Sequence, residues 1–264
     1  MDMKTLRTNK WLVTVAALCW LTATTVAFGQ ATITRVPDLG GGTFGMDVRA
    51  LNNAGAVAGY SRDTNDNELA FLFSNGVLRN LGTLGGAFSA AADLSDNGLI
   101  TGYALLPEDE FGSSPQHAFL YSGTSMIDLG ALPGGSYSEG LFVNANGDVA
   151  GAADANGFFG AGFVYRNGHM TNIGSFGSGM SFIQDLNANG QVVGYSVDET
   201  FLVTRAFFYD TNLVDLGTLG GVYSSAWAIN DAGVIVGDAD KDDGTTRAEG
   251  AFTVSELAVS PPAP

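Results

Sequence analysis

The sequence predicts an all-β fold, and within that class a five-bladed β-propeller with four antiparallel strands in each blade. A turn motif, N-D-A-G-x-x-x-G in its most regular copy at Asn230–Gly237, occurs five times. The first glycines of the copies lie 43, 49, 43 and 43 residues apart, at Gly55, Gly98, Gly147, Gly190 and Gly233. Each period holds four short apolar segments separated by turn residues, which is typical of a propeller blade.

The N-terminal residues have the layout of a secretory signal peptide. Lys4, Arg7 and Lys10 precede an apolar run that starts at Trp11 and ends in small residues. We therefore expect residues 1–29 to be cleaved off and the protein to be secreted, either extracellular or periplasmic. The alternative is an uncleaved membrane anchor, because the run of about eighteen residues approaches spanning length.

Composition excludes several functional classes for the processed chain. The only cysteine, Cys19, lies in the signal segment, so no disulfide and no thiol chemistry remains after cleavage. Residues 30–264 carry 8 basic and 26 acidic side chains, a net charge of −18. Such a surface repels nucleic acid and anionic membranes, so we expect no nucleic-acid partner and no membrane insertion after signal removal.

We name the four segments of each repeat a to d, in the order in which they follow a glycine-rich stretch. The turn motif joins a to b, and its Asn, Asp and Gly residues tolerate the left-handed backbone of tight hairpins. Segments a and b are therefore predicted to pair in every repeat. The second glycine of the motif lies inside segment b, where it is expected to permit close backbone approach or a bulge. The a segments are Asp47–Leu51, Ala90–Leu94, Glu139–Val143, Phe182–Leu186 and Ser225–Ile229.

Segments c and d complete each repeat. Segment c begins with a small residue and a phenylalanine, and an apolar residue two positions later gives the alternation of a half-buried strand. The c phenylalanines are Phe71, Phe119, Phe163, Phe207 and Phe252. Segment d centres on a D-L-G or N-L-G type of triplet, at 38–40, 80–82, 128–130, 172–174 and 215–217.

The chain ends favour a closed ring. The repeat domain, residues 30–254, begins with a lone d segment (Ile33–Gly40) and ends with a lone a–b–c set (Ser225–Val254). If the first d strand pairs with the last three strands, the propeller closes and no blade is left open. A linear β-solenoid or a sandwich is the alternative. Residues 255–264 are expected to form a flexible C-terminal tail.

Three motifs resemble the HAF-repeat family of bacterial extracellular repeat proteins. They are H-A-F-L-Y (His117–Tyr121), D-L-G-T-L-G-G (Asp215–Gly221) and A-I-N-D-A-G (Ala228–Gly233), and related segments cover all five repeats. The resemblance implies an exported repeat protein, and it implies no particular activity. The chain departs from the pattern by keeping the histidine once, since Leu69, Ala161, Arg205 and Gly250 replace it elsewhere.

The d–a connections supply the candidate ligand-binding residues. Each is rich in glycine and then places a large side chain, and four of these are aromatic: Phe44, Phe88, Tyr137 and Tyr223. A ring of aromatic residues would suit stacking on sugars or gripping a peptide. The alternative is that these side chains fill gaps between neighbouring repeats.

The b–c connections are acidic, so their carboxylates are candidate ligands for a metal ion. Asp238, Asp240 and Asp242 stand at alternate positions, as oxygen ligands do in a calcium loop. The usual glycine and the closing glutamate are missing, so a solvated acidic rim is the alternative reading. We expect no cofactor, with calcium as the one open candidate.

The sequence offers few residues that are suited to catalysis. His117 and His169 are the only histidines, and each lies at the start of a predicted strand. A carboxylate pair is the remaining route, because glycosides can be hydrolysed by two acids without a cofactor. Candidates for such a pair are Asp93, Asp185, Asp47 and Glu139. No catalytic residue is assigned.

The sequence as a whole predicts an exported, non-catalytic repeat protein that binds carbohydrate or another exported protein. Its contact surface is expected on the face that carries the variable b–c and d–a connections. A glycoside hydrolase using a carboxylate pair on that face is one alternative. A purely structural surface repeat is the other.

Overall fold

The computed structural model describes residues 33–41, 45–155, 158–177, 179–241 and 250–254. The signal segment, the C-terminal tail and the candidate residues Phe44 and Asp242 lie outside the described residues. The chain divides into two units, Met1–Arg35 and Val36–Pro264. The repeats all belong to the second unit.

The described residues form 19 β-strands and no helix, which confirms the all-β class. Among them, no helix is long and apolar enough to cross a membrane. The first two repeats contain β1 (Met46–Leu51), β2 (Val57–Arg62), β3 (Glu68–Ser74), β4 (Val77–Gly82), β5 (Ser89–Leu94), β6 (Ile100–Leu105), β7 (Gln116–Tyr121) and β8 (Met126–Asp128). The third and fourth contain β9 (Ser138–Val143), β10 (Val149–Ala155), β11 (Phe158–Arg166), β12 (His169–Asn172), β13 (Met180–Leu186), β14 (Val192–Val197), β15 (Thr204–Tyr209) and β16 (Leu213–Gly217). The fifth contains β17 (Gly220–Ile229), β18 (Ile235–Lys241) and β19 (Gly250–Val254).

Each of the first four repeats is a four-stranded antiparallel meander in the order a, b, c, d. The first three form separate sheets, β1-β2-β3-β4, β5-β6-β7-β8 and β9-β10-β11-β12. The fourth and fifth repeats share a seven-stranded sheet, in which β15 and β17 are joined by one parallel pair, Thr204 with Tyr223. The predicted a–b hairpin is present in all five repeats, and the fifth repeat has three described strands.

The turn motif folds as its residues predict. Its first glycine has a positive φ in every copy, from +77° at Gly55 to +87° at Gly98. In the first copy the Asn52 side-chain oxygen accepts hydrogen bonds from the amides of Ala54 and Ala56. The side-chain nitrogen of Asn52 donates to the Ser95 carbonyl of the next turn at 3.2 Å. Consecutive turns are therefore linked to one another by their asparagines.

The second glycine of the motif lies opposite a bulge in segment a, as expected. A Cβ added to Gly102 would overlap the Ala90 carbonyl oxygen, and the β5–β6 register shifts between Ala91 and Asp93. The same overlap with segment a occurs at Gly59, Gly151 and Gly194. A side chain at these positions would prevent the two strands from approaching, so the glycines are required by packing.

Among the described residues the hydrophobic core is divided into four clusters, each shared by two consecutive repeats. The cluster between the first and second repeats, for example, joins Ala58 and Leu81 to Leu94 and Phe119. The phenylalanine of segment c is the largest fully buried side chain of its repeat, at Phe71, Phe119, Phe163 and Phe207. Each repeat is thus stabilised mainly by its neighbours, as in other repeat proteins.

A serine at the start of segment a connects each repeat to the one before it. Ser89 accepts a hydrogen bond from the Ala70 amide at 2.9 Å and donates to the Gly82 carbonyl at 2.6 Å. Ser138, Ser181 and Ser224 accept the corresponding amide hydrogen bonds from Ala118, Gly162 and Ala206. We call these four serines the serine clasps. The first repeat has Met46 at this position.

The first D-L-G triplet does not occupy the position that the sequence predicts for it. Leu39 makes a parallel bridge with Asp63, as Leu219 does with Lys241, and Leu219 follows segment d. The Gly41 amide donates to Arg62, just as the Gly86 amide donates to Leu105. Residues 38–41 therefore correspond to the connection after segment d, because D-L-G-G fits that connection as well as it fits the strand. Residues 33–38 form no strand in this structure.

Candidate functional site

Three aromatic rings from the first two repeats meet where the second strands of both repeats, β2 and β6, pass the d–a connection that joins these repeats. Phe88 stacks on Tyr103, with ring centroids 5.5 Å apart and an interplanar angle of 23°. Tyr60 meets the same Phe88 ring at 6.5 Å in a tilted arrangement. All three side chains are half-buried. We call Tyr60, Phe88 and Tyr103 the aromatic cluster.

Arg49 places a positive charge on the aromatic cluster. Its guanidinium lies 5.1 Å from the centroid of the Tyr60 ring, a distance that allows a cation–π interaction. Its Nε donates to the Asp47 carboxylate at 3.0 Å. Burial lowers the pKa of Arg49, but hydrogen bonds to Asp47 and Tyr103 outweigh it and raise the pKa above its ordinary value. The cluster therefore carries a permanent cation on its ring face.

Tyr137 and Glu139 extend this surface into the third repeat. The Tyr137 hydroxyl donates to the Glu139 carboxylate at 2.6 Å. Burial and the neighbouring negative charge of Glu139 raise the pKa of the Tyr137 hydroxyl well above its ordinary value. The buried Asp154 accepts hydrogen bonds from the amides of Ser136 and Tyr137, which positions this d–a connection.

The structure brings together only part of the predicted aromatic ring. Phe88 belongs to the aromatic cluster, whereas Tyr137 is linked to it only by a small effect of Tyr103 on the raised pKa of the Tyr137 hydroxyl. Tyr223 pairs with Thr204 of the preceding repeat, and the backbone of Tyr137 bridges to Gln116 in the same way. These backbone pairs support the packing interpretation for part of the ring.

Sequence reasoning missed Tyr60, Tyr103 and Arg49. Both tyrosines directly follow the second glycine of the turn motif, and Tyr195 of the fourth repeat does so too. That G-Y pattern is the signal that could have identified them. Tyr195 stacks on Phe182 at 5.0 Å, so the fourth repeat has an aromatic pair of its own. Trp227 of the fifth repeat is 48% exposed and donates its ring N–H to Asp238.

The candidate catalytic carboxylates are all engaged by neighbouring groups. Asp93 accepts hydrogen bonds from the amides of Leu94 and, in the next repeat, Val143. Asp185 does the same with Leu186 and Ile229. Burial raises the pKa of Asp93, and the negative charge of Asp185 adds a smaller effect in the same direction. Their geometry is that of bridges between consecutive repeats.

The acidic b–c connections are likewise folded around their own carboxylates. Asp63 accepts hydrogen bonds from the amides of Asn65 and Asn67, and Asp198 from those of Leu202 and Val203. Burial raises the pKa of Asp198, yet its hydrogen bonds outweigh this and lower it; at Asp63 the Asn67 amide is the main cause of a lowered pKa. These carboxylates therefore act as turn-forming groups.

The calcium candidates Asp238 and Asp240 lie in strand β18 and not in a loop. Within the described residues no group of three or more His, Cys, Asp or Glu side chains is placed to hold a metal ion. Asp242 lies outside the described residues, so calcium at this connection stays a prediction.

The histidine of the H-A-F motif has a structural partner. Its Nδ1 lies 2.8 Å from the Asp128 carboxylate, which also accepts the Gly130 amide. In the fourth repeat Arg205 takes the place of His117 and contacts Asp215 at 2.6 Å. Where segment c offers Leu69 or Ala161 at this position, the strand-d partner is asparagine. The basic residue thus pairs segment c with segment d, and His169 is exposed on β12.

No protein-family model matches this chain, and no curated protein matches it either.

Proposed function

We propose that this chain is an exported, non-catalytic binding module of the HAF-repeat type, which holds a carbohydrate chain on the aromatic cluster. The observation that carries the proposal is the half-exposed stack of Phe88 on Tyr103, with Tyr60 and its cation beside it. Stacked rings that remain accessible offer flat apolar surfaces to the C–H faces of sugars. Arg49 supplies hydrogen-bond donors at the edge of those surfaces.

The absence of a free carboxylate pair among the described candidates favours binding over hydrolysis. Hydrolysis needs one acid that can donate a proton and a second carboxylate facing the substrate. Asp47 is paired with Arg49, Glu139 with Tyr137, and Asp93 with two backbone amides. These partners support a structural and ligand-orienting role for the carboxylates.

We further propose that the five repeats close into a propeller. Leu51 of the first repeat is 70% exposed, whereas its equivalent Leu94, covered by the preceding repeat, is 5% exposed. Val236 of the last repeat is 43% exposed, whereas its equivalent Val193 is fully buried by the following repeat. The first and the last repeat thus each expose an apolar residue on their outer face, and closing the ring would bury both residues against each other.

Ring closure can be tested with a pair of cysteines in the processed chain, which has none of its own. Where two consecutive repeats meet, their turn residues are in contact. For example, the Asn53 amide lies 2.9 Å from the Asp96 carboxylate. The corresponding pair across a closed seam is Asp231 and Asn53. We expect the D231C/N53C variant to form an intramolecular disulfide in the monomer, as the N53C/D96C control does. Disulfides that form only between molecules would contradict closure.

Carbohydrate binding is tested by titrating residues 30–264 with a panel of soluble polysaccharides and following the equilibrium calorimetrically. Replacing Tyr103 by alanine removes one ring of the stack and is expected to weaken binding about tenfold or more. Y195A is the matched control, because Tyr195 also follows the motif glycine and also stacks on a phenylalanine, away from Arg49. Equal losses in both variants, or no polysaccharide bound by the wild type, would reject this function in favour of a protein partner or a structural role.

A further inference from the structure

A groove of about 480 Å³ lies on the side of the tight turns, between the third and fourth copies of the turn motif. Asn146 and Asp148 of the third turn, Asn189 of the fourth turn, and Tyr165 and Arg166 before the c–d turn line it. None of these residues belongs to the aromatic cluster. The volume falls within the range of about 300–1,000 Å³ typical of small-molecule sites. We call this cavity the turn groove.

The turn groove contains a charge pair that the other repeats lack. The Asp148 carboxylate is buried, accepts from the Asn144 side chain at 2.9 Å, and lies 3.5 Å from the Arg166 Nε. The equivalents of Asp148 are Ala56, Leu99, Gln191 and Val234, and those of Arg166 are Ser74, Ser122 and Asp210. The Asp148 side chain is 11% exposed and that of Arg166 is 31% exposed, so the guanidinium stays accessible to a ligand. A partly exposed ion pair contributes little to stability.

The two asparagines of the groove are held in fixed orientations. The side-chain nitrogen of Asn146 donates to the Ala188 carbonyl at 2.8 Å, and that of Asn189 donates to the Asp231 carbonyl at 2.8 Å. Among the described residues, no donor is bonded to the side-chain oxygen of either asparagine. Both oxygens are thus preorganised acceptors, which lowers the entropic cost of binding a donor.

The groove also offers donors and an apolar wall. Arg166 is anchored by a hydrogen bond from Nη2 to the Gly190 carbonyl, while its Nη1 lies 3.8 Å from Asp210. Tyr165 and Leu120 supply apolar surface on the third and second repeats. Donors, acceptors and a hydrophobic wall therefore face one small volume.

We propose that the turn groove binds one unit of a neutral saccharide. A sugar hydroxyl both donates and accepts, which matches acceptors on Asn146 and Asn189 beside a guanidinium donor. An anionic ligand would meet Asp148, Asp210 and the net charge of −18 of residues 30–264, and a cation would meet Arg166. The inference shares the ligand class of the proposed function, but it concerns different residues on a different side of the repeats.

The test is an NMR titration of the asparagine side-chain amides of residues 30–264 with maltose, cellobiose, lactose, N,N′-diacetylchitobiose and glucuronic acid. We expect at least one neutral disaccharide to shift the Asn146 and Asn189 amides saturably, and glucuronic acid to leave them unchanged. N146A should weaken that binding about tenfold, the effect of losing one good hydrogen bond. N97A is the matched control, because Asn97 occupies the same turn position and donates to the Ala145 carbonyl at 2.8 Å, outside the groove.

The groove is rejected if none of the four disaccharides shifts these amides, if glucuronic acid shifts them as strongly, or if N97A weakens binding as much as N146A. The outcome of this test is independent of the outcome of the test of the proposed function. Loss of polysaccharide binding in Y103A with an unchanged response of Asn146 leaves both sites standing. Shifts confined to residues around Tyr103 support the aromatic cluster and reject the turn groove.

Discussion

The hydroxyl oxygen of Ser224, in the fifth repeat, accepts a hydrogen bond of 2.8 Å from the backbone amide of Ala206 in the fourth. The same hydroxyl donates to the Gly217 carbonyl at 2.6 Å, so one side chain joins strands c and d of one repeat to strand a of the next. Ser224 and Ala206 are both fully buried. Water cannot replace either hydrogen bond without entering the core between repeats.

Replacing Ser224 by alanine should therefore destabilise the protein by about 1–3 kcal/mol, the cost of leaving buried backbone groups without partners. Chemical denaturation followed by far-ultraviolet circular dichroism measures the change. S125A is the control, because Ser125 is an exposed residue of a c–d turn and is expected to change stability by less than about 0.5 kcal/mol. Equal effects of the two substitutions would show that the clasp does not hold the repeats together.

The serine clasps also show what the sequence could not reveal. A serine after the large residue of the d–a connection is visible in four repeats, yet the amide that it binds lies some twenty residues earlier, in strand c of the preceding repeat. Strand existence and hairpin pairing were predictable because turn residues and alternation act locally. Contacts between repeats, such as that of Tyr60 with Phe88, depend on how neighbouring sheets pack, and the G-Y pattern marks the tyrosine without naming its partner.

The wrong position predicted for the first D-L-G triplet also follows from the local nature of the sequence signal. Asp38 accepts the Gly40 amide at 2.8 Å, as Asp128 accepts the Gly130 amide at the end of strand d. The same local turn can follow a strand or lie in the connection beyond it, so the triplet alone does not distinguish the two positions. The pairing of Leu39 with Asp63 and the hydrogen bond from the Gly41 amide to Arg62 separate them, and both contacts are long-range information.

The close approach of segments a and b at the second motif glycine predicts a severe effect of added volume. A Cβ at position 102 would overlap the Ala90 carbonyl oxygen, and both strands are fixed by neighbouring repeats. We expect G102A to lower the free energy of unfolding by about 3 kcal/mol or more. G76A is the comparison, because Gly76 has a positive φ of 76° but no atom within 4 Å, so only backbone strain of about 1 kcal/mol is expected. Similar losses in both variants would mean that close packing at Gly102 is unimportant.

The raised pKa of the Tyr137 hydroxyl predicts a loss of protein stability at high pH. Burial and the hydrogen bond to Glu139 raise the pKa of this hydroxyl in the folded state, while the unfolded chain has a tyrosine pKa of about 10. The contribution of Tyr137 is therefore complete below pH of about 10 and declines as the pH rises toward the folded-state pKa, because the unfolded state loses its proton first. Denaturation midpoints measured across the alkaline range should fall less steeply in Y137F than in the wild type. Parallel curves for the two proteins would contradict the assignment.

Substitution of Asp185 tests whether this residue is a structural bridge or a catalytic carboxylate. One of its oxygens accepts the Leu186 amide at 2.9 Å and the other accepts the Ile229 amide of the next repeat at 2.8 Å. In D185N one oxygen becomes an NH₂ group that cannot accept, so one of these amides loses its partner. We expect the free energy of unfolding to fall by about 1–3 kcal/mol, and D93N to behave alike because Asp93 makes the equivalent bridge to Val143.

The same two variants should bind polysaccharide with the affinity of the wild type under conditions in which all three proteins are folded. Product analysis after prolonged incubation should detect no glycoside hydrolysis by any of them, since each carboxylate is already occupied by backbone donors. Hydrolysis by the wild type that disappears in D185N or D93N, with folding and binding intact, would instead identify these residues as a catalytic pair. Because the two aspartates lie in the second and fourth repeats, that outcome would also require the repeats to bring both carboxylates to one bound sugar.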